Sequence, residues 1–109
     1  MLNTLSDRLT SRGYDVLTAH DGLDGLSVAK KEHPDLVLLD VMMPKLDGYH
    51  VCRMLKFDKQ YHDMPVVFLS DLRREKDRAI GQEVGADAYL TKPYDNSRLL
   101  HTLKELLWD

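Results

Sequence analysis

Four short apolar runs, Val16–Ala19, Leu36–Leu39, Val66–Leu69 and Ala88–Leu90, are each of strand length. They are separated by longer stretches in which apolar residues recur at helical steps. This alternation constrains the fold more than any other feature of the chain. Leu2, Leu5 and Leu9 stand three and four residues apart, Leu23 and Leu26 mark a second helix, and Cys52 with Leu55 a third. Ala79, Ile80 and Val84 mark a fourth, and Leu99, Leu100, Leu103, Leu106 and Leu107 form an apolar stripe wide enough to dock a last helix on a core. Gly13 and Gly85 sit where helix-ending glycines belong, Pro34 and Pro65 precede strand-like runs, and Asp95 or Asn96 is placed to cap the last helix. Apolar strands alternating with helices imply a parallel sheet wound by right-handed crossovers, with helices on both faces in a three-layer α/β arrangement.

At 109 residues the chain is expected to be one domain. A formal charge of −3 supplies no whole-chain attraction to nucleic acid or to an anionic membrane. The basic residues Arg73, Arg74, Lys76 and Arg78 are interleaved with Glu75 and Asp77, which reads as a solvated helix face. A single cysteine, Cys52, rules out an internal disulfide and fits a reducing compartment. The opening residues MLNTLSDRLT are too polar for the apolar core of a signal peptide, and no apolar run reaches membrane-spanning length, so a cytoplasmic location without membrane contact is expected.

Open α/β sheets bind ligands beyond the carboxyl ends of their strands. In LVLLD that position is Asp40, in VVFLS it is Ser70, and the run AYL is followed by Thr91, Lys92 and Pro93. A carboxylate, a hydroxyl and an ammonium gathered at one sheet edge suit phosphoryl transfer. The carboxylate would be the nucleophile, and the other two groups would hold oxygens over which charge spreads. Singly, each has a blander role: an Asx turn or helix cap for Asp40, a cap for Ser70, a surface charge for Lys92. Asp47 and Gly48 are expected to form a turn opening the third helix, and Met42, Met43 and Met54 to serve loop and core packing. The five histidines show no metal-ligand spacing, and neither a phosphate-cradling glycine loop nor a nucleophile elbow is present.

The segments PDLVLLDVMMPKLDG, MPVVFLS, GADAYLTKPY and GYDVLTAHDG, in their order along the chain, resemble the motifs of response regulator receiver domains of two-component signalling. The resemblance runs from Leu5 to the end and implies a flavodoxin-like (CheY-like) doubly wound sheet. It also implies that Asp40 is the phosphoacceptor, served by a histidine kinase or phosphotransfer protein. Lys92 would be the phosphate partner, followed by a cis bond to Pro93 that aims the lysine into the site. Ser70 would be the switch hydroxyl and Tyr89 the switch aromatic. Magnesium would be held by Asp40, the Met42 backbone carbonyl and an acidic pair. Ser70 would move toward the phosphoryl group and Tyr89 would turn inward, altering an output face within residues 73–107. Receivers have no separate substrate, so the chain is not expected to be an enzyme.

The family begins with an apolar strand ending in two adjacent acids, and only Met1, Leu2, Asn3 and Thr4 precede Leu5 here. A missing first strand and acidic pair are therefore expected. That strand is central in the family, so its loss would open a gap of roughly 10 Å, two strand spacings, if its neighbours keep their places; the strands could close up, a second copy in a homodimer could lend a segment, or the domain could be loose. Magnesium binding is expected to be weakened. Asp71 could stand in as a ligand, but its expected place is in solvent. Two readings stay open: a phosphoaccepting receiver, and a phosphorylation-independent pseudo-receiver acting as a protein–protein interaction module. In neither is direct nucleic-acid contact expected, since no effector domain precedes the last residues Trp108 and Asp109.

Overall fold

The computed structural model describes residues 9–14, 19, 21–43, 45–72, 74–93 and 95–108. Residues 9–11 are helical, and the ordered elements that follow are α1 (Gly22–Glu32), β1 (Val37–Leu39), α2 (Gly48–Lys56), β2 (Val66–Ser70), α3 (Glu75–Glu83), β3 (Ala88–Thr91) and α4 (Asn96–Trp108). The expected strand Val16–Ala19 lies outside the described residues except for Ala19, as do Leu2, Leu5 and Arg73. The expectation of a missing first strand and acidic pair falls on residues outside them as well.

Among the described residues the sheet has three strands in the order β1-β2-β3, all parallel. Leu39 pairs with Phe68 and Ser70 with Thr91, so Asp40 lies one step beyond the end of β1 and Lys92 one step beyond the end of β3. All five residues of β2 are buried, as a strand covered on both faces requires. The period of two then sorts its side chains. Val66 and Phe68 join a core with Ala29 of α1 and Val51, Cys52 and Leu55 of α2. Val67 and Leu69 face the other way, onto Leu99 and Leu103 of α4, Leu90 of β3 and Leu9. This is the expected CheY-like layering, a sheet between two helical layers.

Helix ends follow local chemistry. Asp21 caps α1 by accepting from the Asp24 N–H at 2.8 Å, and Asp47 caps α2 by accepting from the His50 N–H at 3.0 Å. Asp95 accepts from the Ser97 N–H at 3.0 Å ahead of α4. Gly13 (φ 94°) and Gly85 (φ 92°) take the left-handed conformation favoured past a helix end. Asp87 aligns the start of β2: its carboxylate accepts from the Val66 N–H at 2.8 Å and from Lys56 Nζ at 2.9 Å.

The apolar spacing misplaces a few side chains. Leu23 and Ile80 mark helices correctly but are exposed at 53% and 36%, and Met54 lies on the outer surface of α2 rather than in the core. Met43 does pack against the core, whereas Met42 is an exposed loop residue. Conversely, Asp77, expected on a solvated face, is only 3% exposed.

Candidate functional site

The site forms at the carboxyl edge of the sheet, where the parallel register brings the ends of β1, β2 and β3 level. Asp40 is held through both carboxylate oxygens: Oδ1 accepts from the Met42 N–H at 3.0 Å, and Oδ2 from Lys92 Nζ at 2.7 Å. The Asx-turn geometry and the charged contact therefore coexist in one side chain. The two side chains are 38% and 35% exposed, so the pair is open to a ligand while its partners fix its direction.

Lys92 is placed by its backbone. Its N–H donates to the Ser70 carbonyl at 2.7 Å, and its peptide bond to Pro93 is cis. Behind Asp40, α2 approaches so closely that a Cβ built on Gly48 would lie 2.4 Å from the Asp40 carbonyl oxygen. The Gly48 N–H donates to the Val41 carbonyl at 2.9 Å. Asp47 and Gly48 thus both open α2 and brace the turn that follows Asp40.

Ser70 is fully buried at the end of β2, and its hydroxyl oxygen accepts from the Leu72 N–H at 3.0 Å rather than meeting Asp40. Tyr89 is half-buried on the same face of the sheet as Phe68, with ring centroids 5.8 Å apart, and its hydroxyl donates to the Leu72 carbonyl at 2.9 Å. Arg78 covers the Tyr89 ring at 5.4 Å and donates to its carbonyl at 3.3 Å. Leu72 is thereby tied at its N–H to Ser70 and at its C=O to Tyr89.

Two residues beside this cluster escaped the sequence reading. The Tyr49 hydroxyl donates to the Asp77 carbonyl at 3.0 Å, and its ring meets Phe68 edge-on at 5.3 Å. Burial, and then the neighbouring Tyr89 hydroxyl, pushes the Tyr49 phenol well above the usual tyrosine range. Asp77 accepts from both the backbone N–H of Arg74, at 3.2 Å, and its guanidinium, at 3.1 Å. The Arg74 hydrogen bond holds the Asp77 carboxyl below its ordinary value, against the opposing effect of burial. Asp77 supplies the return bond of a capping box, from the third helical residue to the N-cap N–H, but Arg74 stands where the sequence signature needs Ser or Thr, so the motif is hidden in the sequence.

For a metal, the donor set among the described residues is small. Asp40 offers a carboxylate, Met42 is the residue whose carbonyl the family pattern assigns, and Asp71 is exposed. Among the described residues no three His, Cys, Asp or Glu side chains gather into a metal-sized group. Such a set suits a magnesium ion that keeps most of its water, since magnesium takes six oxygens and dehydrates reluctantly.

The response regulator receiver domain model matches residues 1–104. The chain is 46% identical over 103 residues to the "Probable transcriptional regulator ycf27" of Porphyridium aerugineum, covering 94% of this chain and 42% of that protein. It is 43% identical over 103 residues to the DNA-binding dual master transcriptional regulator RpaA of Synechocystis, covering 94% of this chain and 43% of that one. It therefore spans less than half the length of these relatives. Among solved structures, the signal receiver domain of a signal transduction histidine kinase from Syntrophus aciditrophicus superposes with a TM-score of 0.89 at 33% identity, over 97% of this chain and 80% of that one. The receiver domain of a sensor histidine kinase from Pseudomonas aeruginosa, which has a magnesium ion coordinated in its active-site cleft, superposes with a TM-score of 0.90 at 26% identity, over 99% and 88%.

Proposed function

Because the chain belongs to the response regulator receiver domain family, we propose that Asp40 takes a phosphoryl group from the phosphohistidine of a sensor kinase or phosphotransfer protein. The observation that carries this reading is the 2.7 Å contact between Lys92 Nζ and Asp40 Oδ2, at the edge where three parallel strands end. In the transfer an Asp40 oxygen attacks phosphorus and the P–N bond breaks. The donor imidazole nitrogen leaves with the electron pair and is protonated by solvent. The product is an acyl phosphate. Lys92, already aimed at this carboxylate, would hold a phosphoryl oxygen as negative charge spreads over the group. Magnesium, when bound by Asp40 and the Met42 carbonyl with water completing its shell, would offset the repulsion between carboxylate and phosphoryl group; we expect it to be held weakly.

Ser70 and Tyr89 are read as the switch, as the family resemblance implies, and each bonds the Leu72 backbone, Ser70 at its N–H and Tyr89 at its C=O. The output is contact with a partner protein, or with a second copy of the chain, through the 73–107 face; we assign it no direct hold on nucleic acid, and we place the domain, residues 1–109, in the cytoplasm. Relatives such as RpaA are DNA-binding regulators, but that activity belongs to proteins more than twice as long as the stretch matched here.

A second reading, the phosphorylation-independent interaction module, is favoured by the small metal donor set among the described residues. One experiment separates the two. Incubation with phosphoramidate and magnesium, followed by intact-mass measurement, should add one phosphoryl group that alkali or hydroxylamine removes and that Asp40→Asn abolishes. A chain that stays unmodified under these conditions, while folded, is the interaction module.

A further inference from the structure

The Tyr89 ring stands inward in this structure. It lies against Phe68, with 5.8 Å between centroids, and its hydroxyl donates to the Leu72 carbonyl at 2.9 Å. Helix α3 supplies the rest of its seat from Arg78 and Gly81, three residues apart on one face. Gly81 is buried, and a Cβ there would lie 3.0 Å from Tyr89 Cδ2, so the missing side chain leaves the room that the ring fills. Arg78 closes the other side. Its guanidinium carbon lies 5.4 Å from the ring centroid, and Nη1 donates to the Tyr89 carbonyl at 3.3 Å. One guanidinium thus meets both the ring and the backbone that carries it.

We infer that Arg78 is a positioning residue of the switch, its guanidinium clasping the Tyr89 ring in the inward place that the proposed reading assigns to activation. The inference rests on that reading. Its direction follows from the geometry. A ring that turns outward moves to another staggered χ1 well, which carries its centroid through several ångströms. Cation–π attraction reaches only to about 6 Å, and the guanidinium is bonded to a carbonyl that does not turn with the ring. The Arg78 contact therefore favours the inward ring over an outward one. Removing it lowers the inward population, and a phosphoryl mimic that binds with the ring inward loses apparent affinity.

The test is a double-mutant cycle of the parent, Arg78→Ala, Tyr89→Leu and the pair. Each is titrated with beryllofluoride in the presence of magnesium and followed by ¹H–¹⁵N correlation spectra, whose dispersion also reports folding. Tyr89→Leu keeps apolar bulk but offers no π face. Arg78→Ala should bind about two- to threefold more weakly than the parent, the effect of an exposed cation–π contact when inward and outward rings are comparably populated. In the Tyr89→Leu background the same change should leave affinity unaltered. Equal or tighter binding by Arg78→Ala would overturn the inference. An equal loss in both backgrounds would overturn it too, because Arg78 would then act as a positive charge near the anion and not through the ring. If the parent protein itself fails to bind, the Asp40 reading falls and this inference falls with it.

Discussion

Replacing Lys92 with alanine should separate stability from function. The Lys92–Asp40 contact is short, at 2.7 Å, but the two side chains are 35% and 38% exposed. Water therefore screens the pair and solvates Asp40 once its partner is gone. Partly exposed pairs of this kind contribute about 0.2–1 kcal/mol. With a urea dependence of about 1–3 kcal/mol per molar, the midpoint should fall by less than about 1 M. Phosphorylation responds on another scale. A preorganised cation aimed at developing charge lowers a barrier by about 2.7–4 kcal/mol, a rate factor of about 10²–10³. Lys92→Ala should thus unfold almost like the parent, yet form the acyl phosphate at least a hundredfold more slowly, as read by intact mass against time with phosphoramidate in excess. A rate within tenfold of the parent would refute the role given to Lys92. A stability loss above about 3 kcal/mol would refute the estimate of screening, since a loss of that size is typical of a broken buried pair.

Three other outcomes follow from the same geometry. Asp77 is held below its ordinary value of 3.8 by Arg74, and at Asp47 burial, the largest single influence, is outweighed by the His50 N–H, the His50 ring and the Tyr49 N–H taken together, so the unfolded chain takes up these protons first. Their stabilisation is complete above the ordinary value and is lost as the pH falls through the depressed folded values; urea midpoints between pH 6 and pH 3 should drop for the parent and drop less for Asp77→Asn. Gly48→Ala should destabilise by about 1–3 kcal/mol, although Gly-to-Ala changes in helices usually help, because the new Cβ meets backbone at the Asp40 carbonyl; urea unfolding gives the sign. Cys52 is fully buried, and burial raises its thiol to about 11, so iodoacetamide at pH 8 should modify it only after urea is added.

Much of the architecture was legible from alternating periods. Val66–Leu69 predicted a strand covered on both faces, and Val66 with Phe68 does face one core while Val67 and Leu69 face the other. The caps at Asp47 and Asp95 were legible too, because a cap is a contact within three or four residues of itself. Side-chain depth was less so. Leu23, Met54 and Ile80 carry apolar side chains on outward faces, since apolar spacing sets a helix's period but not the angle at which its neighbours cover it.

The site divides in the same way. That Asp40, Ser70 and Lys92 belong to one edge followed from strand order alone, because parallel strands end together. That Lys92 meets Asp40, while Ser70 turns its hydroxyl to Leu72, is decided by the register of β2 against β3 and by the Lys92 N–H on the Ser70 carbonyl. Tyr49 could not be found from sequence, because its partner Asp77 is 28 residues away and offers a backbone carbonyl, which every residue possesses. Sequence by itself determined which elements form and which of their ends carry chemistry, since period, capping and turn signals act over a few residues. Only the tertiary structure decided which of those groups touch, since that depends on strand register and helix placement, which are properties of the packed whole.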